Sequence, residues 1–131
     1  MATDGQINFE FNFERLDAWH KAIDFSDVVY RLTQTFPQEE RFGLASQMRR
    51  AAVSVGSNLA EGSSRSSRTE FVRFIEIAVG SVFEVVAQAE IARRQGFLSV
   101  ESAGDIRCAA SELTRILSGL RRALAAAKVA G

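Results

Sequence analysis

The sequence predicts an all-α protein, an antiparallel up-down-up-down four-helix bundle that carries a short N-terminal extended arm. Three observations lead there. Apolar residues recur every three to four positions through four long stretches, the spacing that gathers side chains on one face of a helix. Breaks at Pro37, Gly62 and Gly96 divide these stretches, and short connections between helices make antiparallel neighbours. Period-two alternation marks Ile7–Glu14, ahead of the first helix. Residues 1–14 are therefore read as an arm or tail and 15–128 as the bundle.

In the arm, alternation sets Ile7, Phe9, Phe11 and Phe13 on one side of an extended strand. A lone strand needs a surface, so it either docks on its own bundle or a neighbouring subunit, or stays a mobile tail. From Leu16 the period changes. Leu16, Trp19, Ile23, Ser26, Tyr30 and Thr33 form one stripe of the first helix, widened by Ala22, Phe25, Val29 and Phe36. Pro37 stops it by pushing the preceding residue out of the helical region, and Gln38–Glu40 reads as a turn.

The second helix runs from about Arg41 to Glu61, with Leu44, Met48, Ala51 or Ala52, Val55 and Leu59 toward the core. Gly62 suits the left-handed position that ends helices. Gly56 lies inside the helix at a cost of about 1 kcal/mol relative to Ala, which predicts the close approach of another backbone. Ser67 and Glu70 form a capping box for a third helix of roughly 27 residues, with Phe71, Phe74, Ile75, Ala78, Val82, Val85 and Ala89 inward and Gly96 as terminator. Ser99 or Ser102 caps the fourth, whose stripe is Ile106, Ala109, Leu113, Ile116, Leu117, Leu120 and Leu124. The helices are expected to be of similar length. Val53, Ile77, Val79 and Val86 fall off the main stripes, and surplus apolar surface of that kind predicts self-association.

A second stripe on helix two, Gln47, Arg50, Ser54, Ser57, Asn58 and Glu61, is made of short hydrogen-bonding groups with one Arg and one Glu. Such side chains suit contacts between helices or subunits, where the charges need partners.

Composition bounds the function classes. At 131 residues, 47% hydrophobic and 24% charged, the chain makes one soluble globular domain. A single Cys excludes an intrachain disulfide, the start carries no secretory pattern, and no apolar run approaches the ~20 residues that span a bilayer. The expected location is cytoplasmic, with no membrane partner. Charge is balanced overall and skewed along the chain. Residues 1–40 carry Asp4, Glu10, Glu14, Asp17, Asp24, Asp27, Glu39 and Glu40 against Arg15, Lys21 and Arg31; residues 93–131 carry Arg93, Arg94, Arg107, Arg115, Arg121, Arg122 and Lys128 against Glu101, Asp105 and Glu112. Either an acidic first helix lies beside a basic last one, or a basic face meets an anionic partner.

Catalytic patterns are missing. A ferritin-like metal bundle needs Glu-x-x-His pairs, and His20 is the only His. Cys108 lies near an apolar stripe and reads as a small core filler. Glu76 and Glu84, two turns apart, suit solvent or an Arg partner. The serine-rich residues 63–67 hold neither a nucleophile elbow nor a phosphate-binding P-loop. No cofactor or metal is expected. The candidate site is an anion-binding patch at the start of helix three, where free backbone N–H groups meet Arg65, Arg68 and Arg73, with Arg49 and Arg50 on the adjacent helix. No helix-turn-helix, zinc module or stacking platform is evident, so RNA or DNA would be held through its backbone, without regard to sequence and with strong salt dependence.

Several segments resemble one family: Leu16-Asp-Ala-Trp-His-Lys-Ala22, Phe36-Pro37, Phe42-Gly-Leu44, Gln47-Met-Arg-Arg-Ala-Ala-Val-Ser54, Ser57-Asn-Leu-Ala-Glu-Gly62 and Phe74-Ile-Glu-Ile-Ala-Val-Gly-Ser81. In order, and across most of residues 16–100, they resemble the 23S rRNA-intervening sequence proteins, small bacterial bundles named for a reading frame inside large-subunit ribosomal RNA genes. This resemblance implies a homopentamer arranged as a barrel. It also implies kinship with the accessory protein of diversity-generating retroelements, which binds nucleic acid and a reverse transcriptase. The chain departs from the family pattern at Gly56, where Pro is usual, and at Phe42, where Tyr is common.

The expected function is therefore a non-enzymatic, homo-oligomeric, pentameric scaffold that contacts nucleic acid through arginines. The alternative is a protein-binding adaptor in which the acidic first helix or the Phe-rich arm holds a partner.

Overall fold

The computed structural model describes residues 11–130, and four helices account for most of them: α1 (Asp17–Thr33), α2 (Leu44–Ser63), α3 (Arg68–Arg94) and α4 (Val100–Ala130). Each helix packs on its neighbours in the chain, and α1 closes the square against α4. No strand occurs among the described residues. The lengths are unequal, rising from 17 residues in α1 to 31 in α4, against the expectation of similar helices.

The core is a single cluster. Phe25 and Val29 from α1, Met48, Val55 and Leu59 from α2, Ile75, Val82 and Val85 from α3, and Ile106, Leu113 and Leu117 from α4 are all buried. The predicted stripes of α2, α3 and α4 supply this cluster. On α1 the widening residues face inward, whereas Ile23 and Tyr30 of the first-named stripe are exposed. Val79 and Val86 pack against the core, so only Val53 and Ile77 of the four off-stripe residues are exposed.

Helix ends follow local chemistry. Ser67 caps α3 by accepting the Glu70 N–H at 3.1 Å, and Ser99, the nearer of the two candidates, caps α4 by accepting the Ser102 N–H at 3.0 Å. At the end of α3, Gly96 sits at φ +80°, with its N–H on the Arg93 carbonyl and the Phe97 N–H on the Ala92 carbonyl, the paired bonds of a Schellman motif. The α2 start is later than predicted. Gln38–Glu40 winds into a 3-10 turn, and the Glu40 carboxylate accepts the Leu44 N–H at 3.1 Å, fixing the first turn of α2. Phe36 and Phe97, with ring centroids 5.7 Å apart, tie the two connections at that end of the bundle together.

Both helix-two glycines differ from their predicted roles. Gly62 does not terminate α2, which continues to Ser63; it is buried against α3, where an added Cβ would fall 2.7 Å from the Cβ of Phe74 and 3.0 Å from Cδ1 of Phe71. At Gly56 the three nearest atoms are α1 side chains at ordinary contact distance, Ile23 Cδ1 at 3.5 Å first, and none of them is backbone.

The strand expectation fails where it is described, although that part does dock on its own bundle. Asn12–Arg15 forms a 3-10 turn instead of a strand, because local partners satisfy it: the Phe11 N–H donates to the Glu14 carboxylate at 2.8 Å, and the Phe13 ring packs at a tilt on Trp19 with centroids 4.8 Å apart. His20 Nε2 lies 2.7 Å from the Glu14 carbonyl, pinning the turn to α1. Ile7 and Phe9 lie outside the described residues.

Candidate functional site

The polar stripe of α2 divides in two. Ser54 and Asn58 are half-buried and knit α2 to α3: the Asn58 amide donates to the Ser54 carbonyl at 2.8 Å and to Ser54 Oγ at 2.9 Å, while Ser54 and Ser81 share a hydroxyl hydrogen bond of 3.0 Å. These two act within the chain. Gln47, Arg50, Ser57 and Glu61 are exposed, so in a single copy they face solvent.

The five candidate arginines do not form one patch. Arg49 reaches across to α1, donating from Nε to Thr33 Oγ1 at 2.8 Å and lying over the Tyr30 ring at 4.6 Å. Its position is structural, joining α2 to α1. Arg65 pairs with Glu61 at 2.7 Å and covers the Phe74 ring at 4.9 Å. Arg65 and Arg73 line a hollow with Glu70, Phe74 and Ile77, about 390 Å³ in volume. Arg68, the first residue of α3, is exposed nearby. Arg49 and Arg50 stand roughly 20 Å from Arg65 along α2, since about fourteen residues at 1.5 Å each intervene. Among the described residues, Arg50, Arg68 and Arg73 form no side-chain hydrogen bond or ion pair. Sequence spacing had grouped the five because Arg49, Arg50 and the loop are joined by one helix; the helix length is what separates them.

A larger hollow lies elsewhere. Between α3 and α4, a groove of about 690 Å³ is lined by Phe83, Val86 and Ala110 and by a row on α4 made of Arg107, Ser111, Thr114, Arg115, Ser118 and Arg122. The row follows the helical repeat along one side of α4, so Arg107 and Arg122 are about 22 Å apart. All three arginines are exposed and, among the described residues, unpaired. No acidic side chain lines the groove. Phe83 is 61% exposed at its centre. The signal for it in the sequence was the basic C-terminal third; the aromatic partner on α3 appears only when the two helices are laid together.

α1 lies beside α4, as the first account of the charge skew expects, but acidic α1 groups are not paired with basic α4 groups among the described residues. The ion pair that links them, Lys21 to Glu112 at 3.5 Å, has the opposite polarity. Glu76 meets Arg121 at 3.3 Å, as expected of an Arg partner, and Glu84 accepts from Gln88 at 3.3 Å. Glu90 is gripped by Arg93 through two nitrogens and by Arg94, and these hydrogen bonds hold its carboxyl at about 2. Cys108 is exposed, which corrects its reading as a core filler: its position turns it away from Ile106 and Leu113. Among the described residues no cluster of three His, Cys, Asp or Glu is placed to hold a metal, and no helix is long and apolar enough to cross a membrane.

Comparison with known proteins agrees with this architecture. A 1.70 Å crystal structure of a protein of unknown function from the S23 ribosomal protein family, from Bacteroides thetaiotaomicron VPI-5482, superposes with a TM-score of 0.70; it is 20% identical and the match covers 79% of this chain and 97% of that one. At that identity the likeness concerns the fold alone. No curated protein matches the chain. Residues 14–119, from the 3-10 turn before α1 to the latter half of α4, match the family described as 23S rRNA-intervening sequence protein, and the chain belongs to that family.

Proposed function

We propose that this protein is a non-enzymatic, ring-forming scaffold built from identical copies, five by the family resemblance, that contacts nucleic acid through exposed arginines without reading base sequence. One observation carries the oligomer: large apolar side chains are exposed on two separate parts of the bundle. On the α1–α2 side, Ile23 and Tyr30 stand two turns apart, and Val53 sits a turn from the Gly56 that Ile23 touches. On α3, Ile77, Phe83 and Ile91 are exposed. A head-to-tail interface pairs two different surfaces and closes into a ring when its rotation divides the circle, whereas a two-fold dimer would need one self-complementary patch. Exposed Gln47, Arg50, Ser57 and Glu61 supply polar specificity around such a contact.

Light scattering at micromolar concentration tests the assembly. A mass several times that of one chain is expected, and a monomer would overturn it. Val53→Glu with Ile77→Glu, both exposed positions, should dissociate the assembly while leaving helical content unchanged.

The nucleic-acid half is supported by the unpaired Arg50, Arg68 and Arg73. Mixed-sequence RNA and DNA should bind at low salt and release at moderate salt, and Arg68→Ala with Arg73→Ala should flatten the log–log salt dependence by about 1–2. Absence of binding at low salt would remove this half and leave the adaptor reading, in which the same surfaces hold a protein.

A further inference from the structure

We infer that the α3–α4 groove receives residues 1–10 of a second copy of this chain, a contact that rests on the self-association proposed above. The groove offers an apolar floor of Phe83, Val86 and Ala110 beside a row of arginines with no acid among its lining residues. Residues 1–10 offer the complement. They contain Asp4 and Glu10 and no Lys or Arg, together with Ile7 and Phe9.

Spacing strengthens the match. Laid along the groove as an extended segment, odd residues including Ile7 and Phe9 take one side and even residues Asp4, Gln6, Asn8 and Glu10 the other. Asp4 and Glu10 are then about 20 Å apart at 3.3 Å per residue, close to the roughly 22 Å between Arg107 and Arg122 on α4. The hydroxyls of Ser111, Thr114 and Ser118 lie between those arginines, where Gln6 and Asn8 would fall. Ile7 and Phe9 cover Phe83, whose exposed ring otherwise meets water.

Reach decides which copy supplies the segment. The 3-10 turn at Asn12–Arg15 packs on α1 and α2, across the square from the groove. Phe9 is two residues from Phe11, so it lies within about 7 Å of it. The groove on the same copy is some 20 Å away through two helix layers, farther still around the outside. Phe9 therefore seats only in a neighbour. Each copy gives its arm from the α1–α2 side and receives one on the α3–α4 side, the head-to-tail arrangement that closes into a ring.

The test is a pair of full-length, single-cysteine proteins, both with Cys108→Ser, one with Asn8→Cys and the other with Ser111→Cys. Mixed and oxidised, they should give a covalent dimer on a non-reducing gel; no dimer, in a mixture that light scattering shows to be oligomeric, overturns the arm contact and leaves the oligomer standing. In the otherwise natural chain, Arg107→Glu with Arg122→Glu should weaken association by about tenfold, and adding Asp4→Arg with Glu10→Arg should restore it. Association unaltered by the first pair of changes overturns the inference, and a natural chain that is itself monomeric overturns the oligomer and the arm together. Circular dichroism of the variants separates loss of contact from loss of fold.

Discussion

The two seams that α3 makes with its neighbours are built differently. Against α2 it closes tightly: Gly62 admits Phe71 and Phe74, and Ser54 and Ser81 meet hydroxyl to hydroxyl with Asn58 completing the set. Against α4 the seam opens into the groove beneath Phe83, with Arg121 and Glu76 bridging it toward one end. Side-chain size sets the difference. Small residues let α2 and α3 approach until hydroxyls bond across the gap, while the α3–α4 seam, flanked by Phe83 and a row of arginines, leaves a surface for something else to fill. A helix can thus serve as a core element on one side and a docking wall on the other.

The largest expected effect comes from forcing the closed seam. Gly62→Leu puts carbon where Phe74 already stands and should destabilise the fold by about 3 kcal/mol, read as a lower urea midpoint at fixed protein concentration. A midpoint equal to the natural chain's would mean that α2 and α3 are not this close. Next, Ser81→Ala removes a buried hydroxyl partner of Ser54 and should cost about 1 kcal/mol in the same assay. On the open seam the sign reverses. Gly104, on α4, has nothing within 4 Å of an added Cβ, so Gly104→Ala should stabilise by about 0.5–1 kcal/mol through helix propensity alone, and a loss of stability would show the seam to be closed.

The smallest effect is a titration. Glu90 is lowered from the ordinary 4.5 to about 2 by hydrogen bonds from Arg93 and then Arg94. A depressed carboxyl contributes its stability above the unfolded value and loses it as pH falls through the folded one, so this contribution is complete above 4.5 and vanishes toward 2. Carboxyl NMR should place Glu90 well below the other glutamates. An ordinary midpoint would show that the arginine grip does not persist in solution.

Much of the bundle could be read from the residues because helical periodicity is local: each stripe names its own inward face wherever small and large apolar residues agree, as on α2, α3 and α4. On α1 two apolar stripes competed, and only packing chose Phe25 and Val29 over Ile23 and Tyr30. Glycines were harder. Gly96 needed nothing beyond its own backbone to end α3, whereas the task of Gly62 depends on where Phe74 stands in another helix. The candidate site suffered likewise, since the length of α2 parts Arg49 and Arg50 from Arg65, and the Arg107–Arg122 row gained its aromatic floor from α3.

The sequence by itself determined four helices, most of their caps and breaks and most of their inward faces, because those follow from backbone hydrogen bonding and burial within a few residues. Tertiary structure alone decided which polar groups were used up inside the bundle, which stayed outside, and where two helices failed to close. Those outcomes depend on the separation of side chains from different helices, a distance that no spacing along the chain encodes.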